Sequence, residues 1–157
     1  MTDAVRLHIP IDLRWGDLDA FNHVNNTSML KLLEECRVRA FWAPESGEPR
    51  YPTAVVPAGT ELLTLIARQE IEYLRPVPYQ SDPLDVQLWF GRLGGSSGEV
   101  CYEVYSPRAA GEQVLYARSS AVIVFVDAAS GRPVRLTPEM RAAWEPYLGE
   151  PIRYSRR

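Results

Sequence analysis

The chain has 157 residues, a length that suits one domain, read here over 1–157, with a core large enough to need no disulfide or metal. A net charge of −3 with 24% charged residues excludes the basic balance of a nucleic-acid binder. Two cysteines, Cys36 and Cys101, in no metal-ligand spacing point to a reduced cytoplasmic protein. The first ten residues hold no apolar run of a signal peptide, and no stretch is long enough for a membrane span.

Residues 5 to 15 alternate, with Val5, Leu7, Ile9, Ile11, Leu13 and Trp15 on one face and Arg6, His8, Asp12 and Arg14 on the other. This is the period of a half-buried strand, and Pro10, which lacks an N–H, puts it at or near a sheet edge. A polar, turn-prone stretch, 16 to 26, follows. The period then changes: Met29, Leu33, Cys36 and Ala40 recur at helical spacing, widened by Leu30, Leu32 and Phe41. The spacing predicts a helix from about Asn26 to Trp42, capped by Asn25 or Asn26 and closed by Pro44.

Residues 45 to 59, with three prolines and two glycines, read as a loop. Four strand-like runs come next: 61–74, 84–93, 99–106 and 113–126. The stretch Ala121 to Val126 is apolar throughout, as in a strand covered on both faces. Turn residues separate the runs at 80–83, 94–98 and 109–111. A short helix with Thr137 as cap and Pro138 at its first position is predicted to about Tyr147. Strand, long helix, then four strands fits antiparallel hairpins curled around one early helix.

Chemistry concentrates between the first strand and the helix. Residues 14 to 26 hold Asp17, Asp19, His23 and three asparagines. A helix N-terminus supplies free N–H groups and the positive end of a dipole, the equipment to stabilise an oxyanion beside a carboxylate. The same residue types are also ordinary in turns and caps, and composition alone leaves that reading open. Gly94-Gly95-Ser96-Ser97-Gly98 reads as a hairpin loop and not a phosphate cradle, because a strand follows it.

The run Trp15-Gly16-Asp17-Leu18-Asp19-Ala20-Phe21-Asn22-His23-Val24-Asn25-Asn26 resembles the signature of 4-hydroxybenzoyl-CoA-thioesterase-like hotdog proteins, roughly D-x-D-x-x-G-H-V-N-N before a helix. The resemblance extends over about residues 9 to 148 through Glu72-Tyr73-Leu74-Arg75-Pro76-Val77, Gly91-Arg92-Leu93-Gly94, Val124-Phe125-Val126-Asp127 and Gly131-Arg132-Pro133-Val134. It implies an α+β hotdog fold, an antiparallel five-stranded sheet wrapped around one long helix. It also implies a homodimer or homotetramer with its active sites at the dimer interface.

By position in the resembling motif, Asp19 is the catalytic carboxylate, as nucleophile or general base, and Asp17 is structural. The N–H near Asn26 polarises the thioester carbonyl, while Asn25 orients Asp19 or caps the helix. Asn22 stands where the family often has glycine, and asparagine tolerates a left-handed backbone. Trp15, Phe21 and His23 are substrate-binding candidates, His23 in a packing or hydrogen-bonding role. Arg92, Ser96 and Ser97 match the loop that touches the CoA nucleotide in the family. Glu34 and Glu35 on the helix are alternative carboxylates. The implied reaction is hydrolysis of an acyl-CoA or acyl-carrier thioester, with no cofactor, metal, nucleic acid or membrane partner. The alternatives are a non-catalytic acyl-thioester-binding hotdog protein and a thioesterase acting on acyl-carrier protein.

Overall fold

The alternation of Leu7, Ile9 and Ile11 becomes strand β1 (Leu7–Ile11), its apolar side chains buried and His8 and Pro10 outside. The computed structural model describes residues 5–155 apart from positions 58 and 60, so the parts of the leader and loop readings that fall on 1–4 and 58 lie outside the described residues. Helix α1 spans Asn26–Phe41 and is followed by β2 (Leu62–Tyr73), β3 (Leu84–Leu93), β4 (Ser97–Tyr105), β5 (Leu115–Asp127) and the short α2 (Pro138–Trp144). All strand pairings are antiparallel, in the order β1-β3-β4-β5-β2. This is the expected hotdog arrangement. Pro10 lies on an edge strand, where its missing N–H costs no ladder bond.

Helix α1 forms where the period changes. Asn25 caps it by accepting the Thr27 N–H at 3.0 Å. Met29, Leu33, Cys36 and Ala40 are all buried, joined by Leu32 and Phe41, in one core with Ile9, Leu88, Phe90, Val100, Tyr102 and Phe125 of the sheet. Each large side chain buried here contributes about 1.5–3 kcal/mol. The helix is therefore held by the sheet that curls over it. Helix α2 closes the same side. Thr137 caps it, and Trp144 packs on Phe41, Phe90 and Phe125 with centroids 5.2–5.7 Å away. The Trp144 indole N–H donates to the Thr53 carbonyl at 2.8 Å.

The opposite face of the sheet carries a strap. Residues 149–155 cross it: the Trp89 indole N–H donates to the Glu150 carbonyl (2.8 Å), Arg118 to the Arg153 carbonyl (2.9 Å), and Tyr154 shares a hydrogen bond with Ser120 (2.7 Å). Gly91 permits the crossing, since a Cβ there would sit 3.2 Å from the Pro151 Cα. Cys101 is sealed beneath, and burial pushes its thiol up to about 12.

Several expectations shift. The first strand is shorter than 5–15: Val5 is exposed, and the chain turns at Trp15–Asp17 because Asp17 binds back onto Arg14. In β5, Val122 and Val124 are only half-buried, so that apolar run is not fully covered on both faces. Strand β4 begins at Ser97, β5 at Leu115, and the turn at 145–147 is 3-10 and not α-helical. Strand β2 is the second edge, twelve residues long. It exposes Leu63, Leu65, Ile66 and Tyr73, and a bulge at Ala67 takes up one residue against β5.

Candidate active site

The turn at 17 to 25 is built from its own polar groups. Asp17 is 1% exposed; it accepts the Arg14 backbone N–H at 2.8 Å and the Arg14 guanidinium at 2.9 Å. Burial would raise its carboxyl, but the hydrogen bonds and charge of Arg14 outweigh burial and hold it below the usual carboxylate range. The Asp17 carbonyl accepts the Asn25 N–H at 2.8 Å, so the buried aspartate also sets the start of α1.

Between these two residues the chain doubles back. Leu18 bridges Val24, the Asp19 N–H donates to the His23 carbonyl at 2.8 Å, and the Asn22 N–H donates to the Asp19 carbonyl at 3.1 Å. Asn22 takes φ 62°, the left-handed conformation expected of the residue that replaces glycine. Asp19 Oδ1 accepts the Phe21 N–H at 2.8 Å and the His23 N–H at 3.3 Å. Its Oδ2 has no partner among the described residues. One carboxylate oxygen is thus fixed and the other left for a substrate or water.

The helix start is similarly divided. The Thr27 N–H is taken by Asn25 Oδ1 and, at 2.9 Å, by Asn26 Oδ1, while the Asn26 N–H has no partner among the described residues. The Tyr73 hydroxyl donates to the Asn26 carbonyl at 3.2 Å, joining the end of β2 to the first turn of α1.

Asp19, His23, Asn25 and Asn26 line a single cavity of about 500 Å³, closed by Met29 below and by Tyr73, Arg75 and Val77 on its far wall. The His23 side chain lines it without a hydrogen-bond partner among the described residues. The far wall was missed as a site from sequence, although Tyr73 to Val77 stood within the resembling segment. It is clamped to the turn by the Val24 N–H, which donates to the Val77 carbonyl at 2.9 Å, and by a His23–Pro78 bridge. Among the described residues, no three His, Cys, Asp or Glu side chains form a group that could hold a metal.

The other candidates do not meet this cavity within one chain. Trp15 is 73% exposed and packs edge-on against Tyr79, with centroids 5.3 Å apart. Phe21, 79% exposed, lies at the tip of the turn. Arg92, Ser96 and Ser97 sit in the β3–β4 hairpin, at the end of the sheet where β2 begins at Leu62; Asp19 and Tyr73 are at the other end. Two further arginines flank that hairpin: Arg141 donates to the Gly94 carbonyl, and the Arg135 guanidinium lies beside Gly95. Glu34 and Glu35 are exposed, Glu35 paired with Arg39 at 2.9 Å, and neither lines the cavity.

Known proteins share this frame. The PA5185 protein of Pseudomonas aeruginosa superposes with a TM-score of 0.73 at 24% identity, over 90% of this chain and 91% of that one. The PA2801 protein of the same organism gives 0.68 at 29% identity, over 88% and 95%. A thioesterase of Thermus thermophilus, solved with coenzyme A and zinc, gives 0.66 at 26% identity, over 92% and 96%. No curated protein matches the sequence. The family model of the thioesterase-like superfamily matches residues 13–144, and the chain belongs to that superfamily as a thioester hydrolase.

Proposed function

We propose that the chain hydrolyses acyl-CoA thioesters, with Asp19 as the catalytic carboxylate and the Asn26 N–H as the donor to the thioester carbonyl. The observation that carries this reading is the meeting, in one cavity, of a carboxylate with a free oxygen and a helix N-terminus with a free N–H. The Asn26 N–H stabilises the developing oxyanion. Asp19 takes a proton from water as the water oxygen attacks the carbonyl carbon, or attacks that carbon itself and is released by water afterwards. The C–S bond breaks in either route. The thiol leaves as thiolate, since its pKa near ~8.5 makes protonation by a strong acid unnecessary. Coenzyme A in the Thermus relative supports that carrier for the acyl group.

The same reading includes a dimer through β2. A long edge strand with exposed Leu63, Leu65 and Ile66 is a template for pairing. If two copies pair β2 antiparallel about its middle, Leu62 of one lies opposite Tyr73 of the other. The hairpin with Arg92, Ser96 and Ser97 then comes to the partner's Asp19 end. It lies three strands in from the β2 edge, roughly 15 Å at ~4.8 Å per strand, within the span of an extended thiol arm.

The test is a panel of acyl-CoAs and acyl-carrier proteins assayed with a thiol reagent. Asp19→Asn, checked for folding and assembly, is expected to lower turnover at least ~10²-fold while substrate still binds. Near-wild-type hydrolysis by that variant would remove Asp19 from the role and turn attention to Glu34 and Glu35. Hydrolysis of carrier-protein thioesters alone would replace the CoA reading.

A further inference from the structure

The cavity that holds Asp19 offers more hydrogen-bond donors than a thioester uses. A thioester presents one carbonyl oxygen, and in the proposed reaction the Asn26 N–H serves it. Further donors line the same cavity without a partner among the described residues: the Arg75 guanidinium, the His23 ring, and the side-chain amide N–H2 of Asn26, whose carbonyl oxygen is spent on the Thr27 N–H. The acid among the lining residues is Asp19. Arg75 stands out because it adds a full charge and its backbone is fixed. Its N–H and that of Leu74 both donate to the Tyr116 carbonyl, at 3.1 and 2.8 Å, and two residues on the Val77 carbonyl accepts the Val24 N–H at 2.9 Å. The segment that carries Arg75 is thus tied to β5 on one side and to the catalytic turn on the other. A second cavity, of about 440 Å³, shares Leu74 and Arg75 as walls with the first. Glu112 also lines it, and its carboxylate forms no ion pair with a described residue.

We infer that Arg75 selects thioesters whose acyl group ends in a second carboxylate. The inference rests on the roles proposed above for Asp19 and the Asn26 N–H and names the substrate class. A guanidinium meets a carboxylate with two parallel N–H···O bonds, and a fixed cation beside the Asp19 carboxylate offsets the repulsion that an anionic acyl group meets there. A cavity of about 500 Å³ is roughly 10 Å across, so with the reacting carbonyl at Asn26 the acyl chain that reaches Arg75 has roughly four to eight carbons. The phosphates of coenzyme A are not the anion served. They lie on the other side of the sulfur, at the end of a thiol arm longer than the cavity is wide. A plain fatty acyl chain in the same position leaves the guanidinium unpaired where water has been expelled, and a site built to bond a group rejects the analogue that lacks it.

The experiment compares kcat/KM for dicarboxylic mono-CoA thioesters, succinyl to suberyl, with that for monocarboxylic thioesters of the same length, butyryl to octanoyl. The monomethyl ester of adipoyl-CoA is the uncharged control. The full-length protein is expected to favour the diacid at least ~10-fold at its best length. Arg75→Met keeps the bulk of the side chain and removes its charge, and the ratio of diacid to monoacid is expected to fall at least ~10-fold, mainly through KM; Arg75→Lys restores part of it. Added salt should narrow the wild-type preference and leave that of Arg75→Met unmoved, because the charge of coenzyme A cancels in the ratio. Glu112→Gln removes the acid that shares the second cavity and is expected to raise the ratio, a readout that stands even where Arg75→Met fails to fold. A wild type that prefers monoacids, or that hydrolyses the methyl ester as well as the acid, would overturn the inference. So would equal losses in both series with Arg75→Met, or a ratio unchanged in both Arg75→Met and Glu112→Gln. In each of these cases hydrolysis of the monoacids would leave the proposed function standing. A wild type that hydrolyses no thioester of either series would take both down.

Discussion

The two ends of the sheet are built by opposite means. At the Tyr73 end the chain spends polar groups on itself: Asp17 on Arg14, Asp19 on its own turn, Asn25 and Asn26 on the helix start. Two groups are left without a partner among the described residues, an Asp19 oxygen and the Asn26 N–H, where the turn meets the helix. At the Leu62 end the frame is apolar, held by Trp144 among Phe41, Phe90 and Phe125, with Arg92, Arg135 and Arg141 around the hairpin. The contrast teaches that a tight polar turn leaves groups unpaired, which the proposed function uses, whereas the rim of the packed core leaves apolar surface. In one chain the two are separated by the length of β2.

The largest effect is expected from cutting the link between the ends. Leu65→Asp sets a carboxylate opposite the partner's Glu70 in the proposed pairing, and like charges directly across a strand pair repel. Light scattering should find 17.8 kDa chains, with hydrolysis down at least ~10²-fold because each site has lost half its walls. A fully active monomer would break the comparison at its root.

A smaller effect sharpens the polar end alone. Asp17→Asn removes the charge that holds Arg14 over a buried site, at a cost of about 1–3 kcal/mol at neutral pH by denaturant unfolding. The pH dependence has a definite sign. The folded carboxyl of Asp17 titrates below its unfolded value near ~3.9, so its contribution is fully present above that pH and is lost as pH falls through the folded value. The variant should therefore differ most from wild type at neutral pH and converge with it in acid; a constant difference down to strongly acidic pH would refute the assignment. Smallest is Asn25→Ala, which strips the cap from α1 for about 1 kcal/mol of stability, read by denaturant unfolding.

Much of this architecture is legible in the residues. Met29, Leu33, Cys36 and Ala40 announce α1 because a helix stripe is a local property, and Asn25 announces its cap for the same reason. Trp15 misleads: it continues the alternation of β1, but Asp17 reaches back to Arg14 and turns the chain, leaving the ring against Tyr79. Asp19, the proposed catalytic carboxylate, stands in a contiguous motif. Tyr73 and Arg75 were not assigned to the site, since what brings them to it is the pairing of residues far apart in sequence. The His23–Pro78 bridge and the Tyr73–Asn26 hydrogen bond have no local signature.

The bulge in β2 also says how this chain tolerates changes of length. Ala67 is the extra residue against β5, so its deletion leaves every other side chain of the strand on its own face. Deleting Glu70 instead, with the bulge smoothed away, would turn Arg68 toward the core and Gln69 to the outside. A single-codon loss is therefore silent for the pattern at the bulge and disruptive three residues further along the strand, however mild a substitution at either would be.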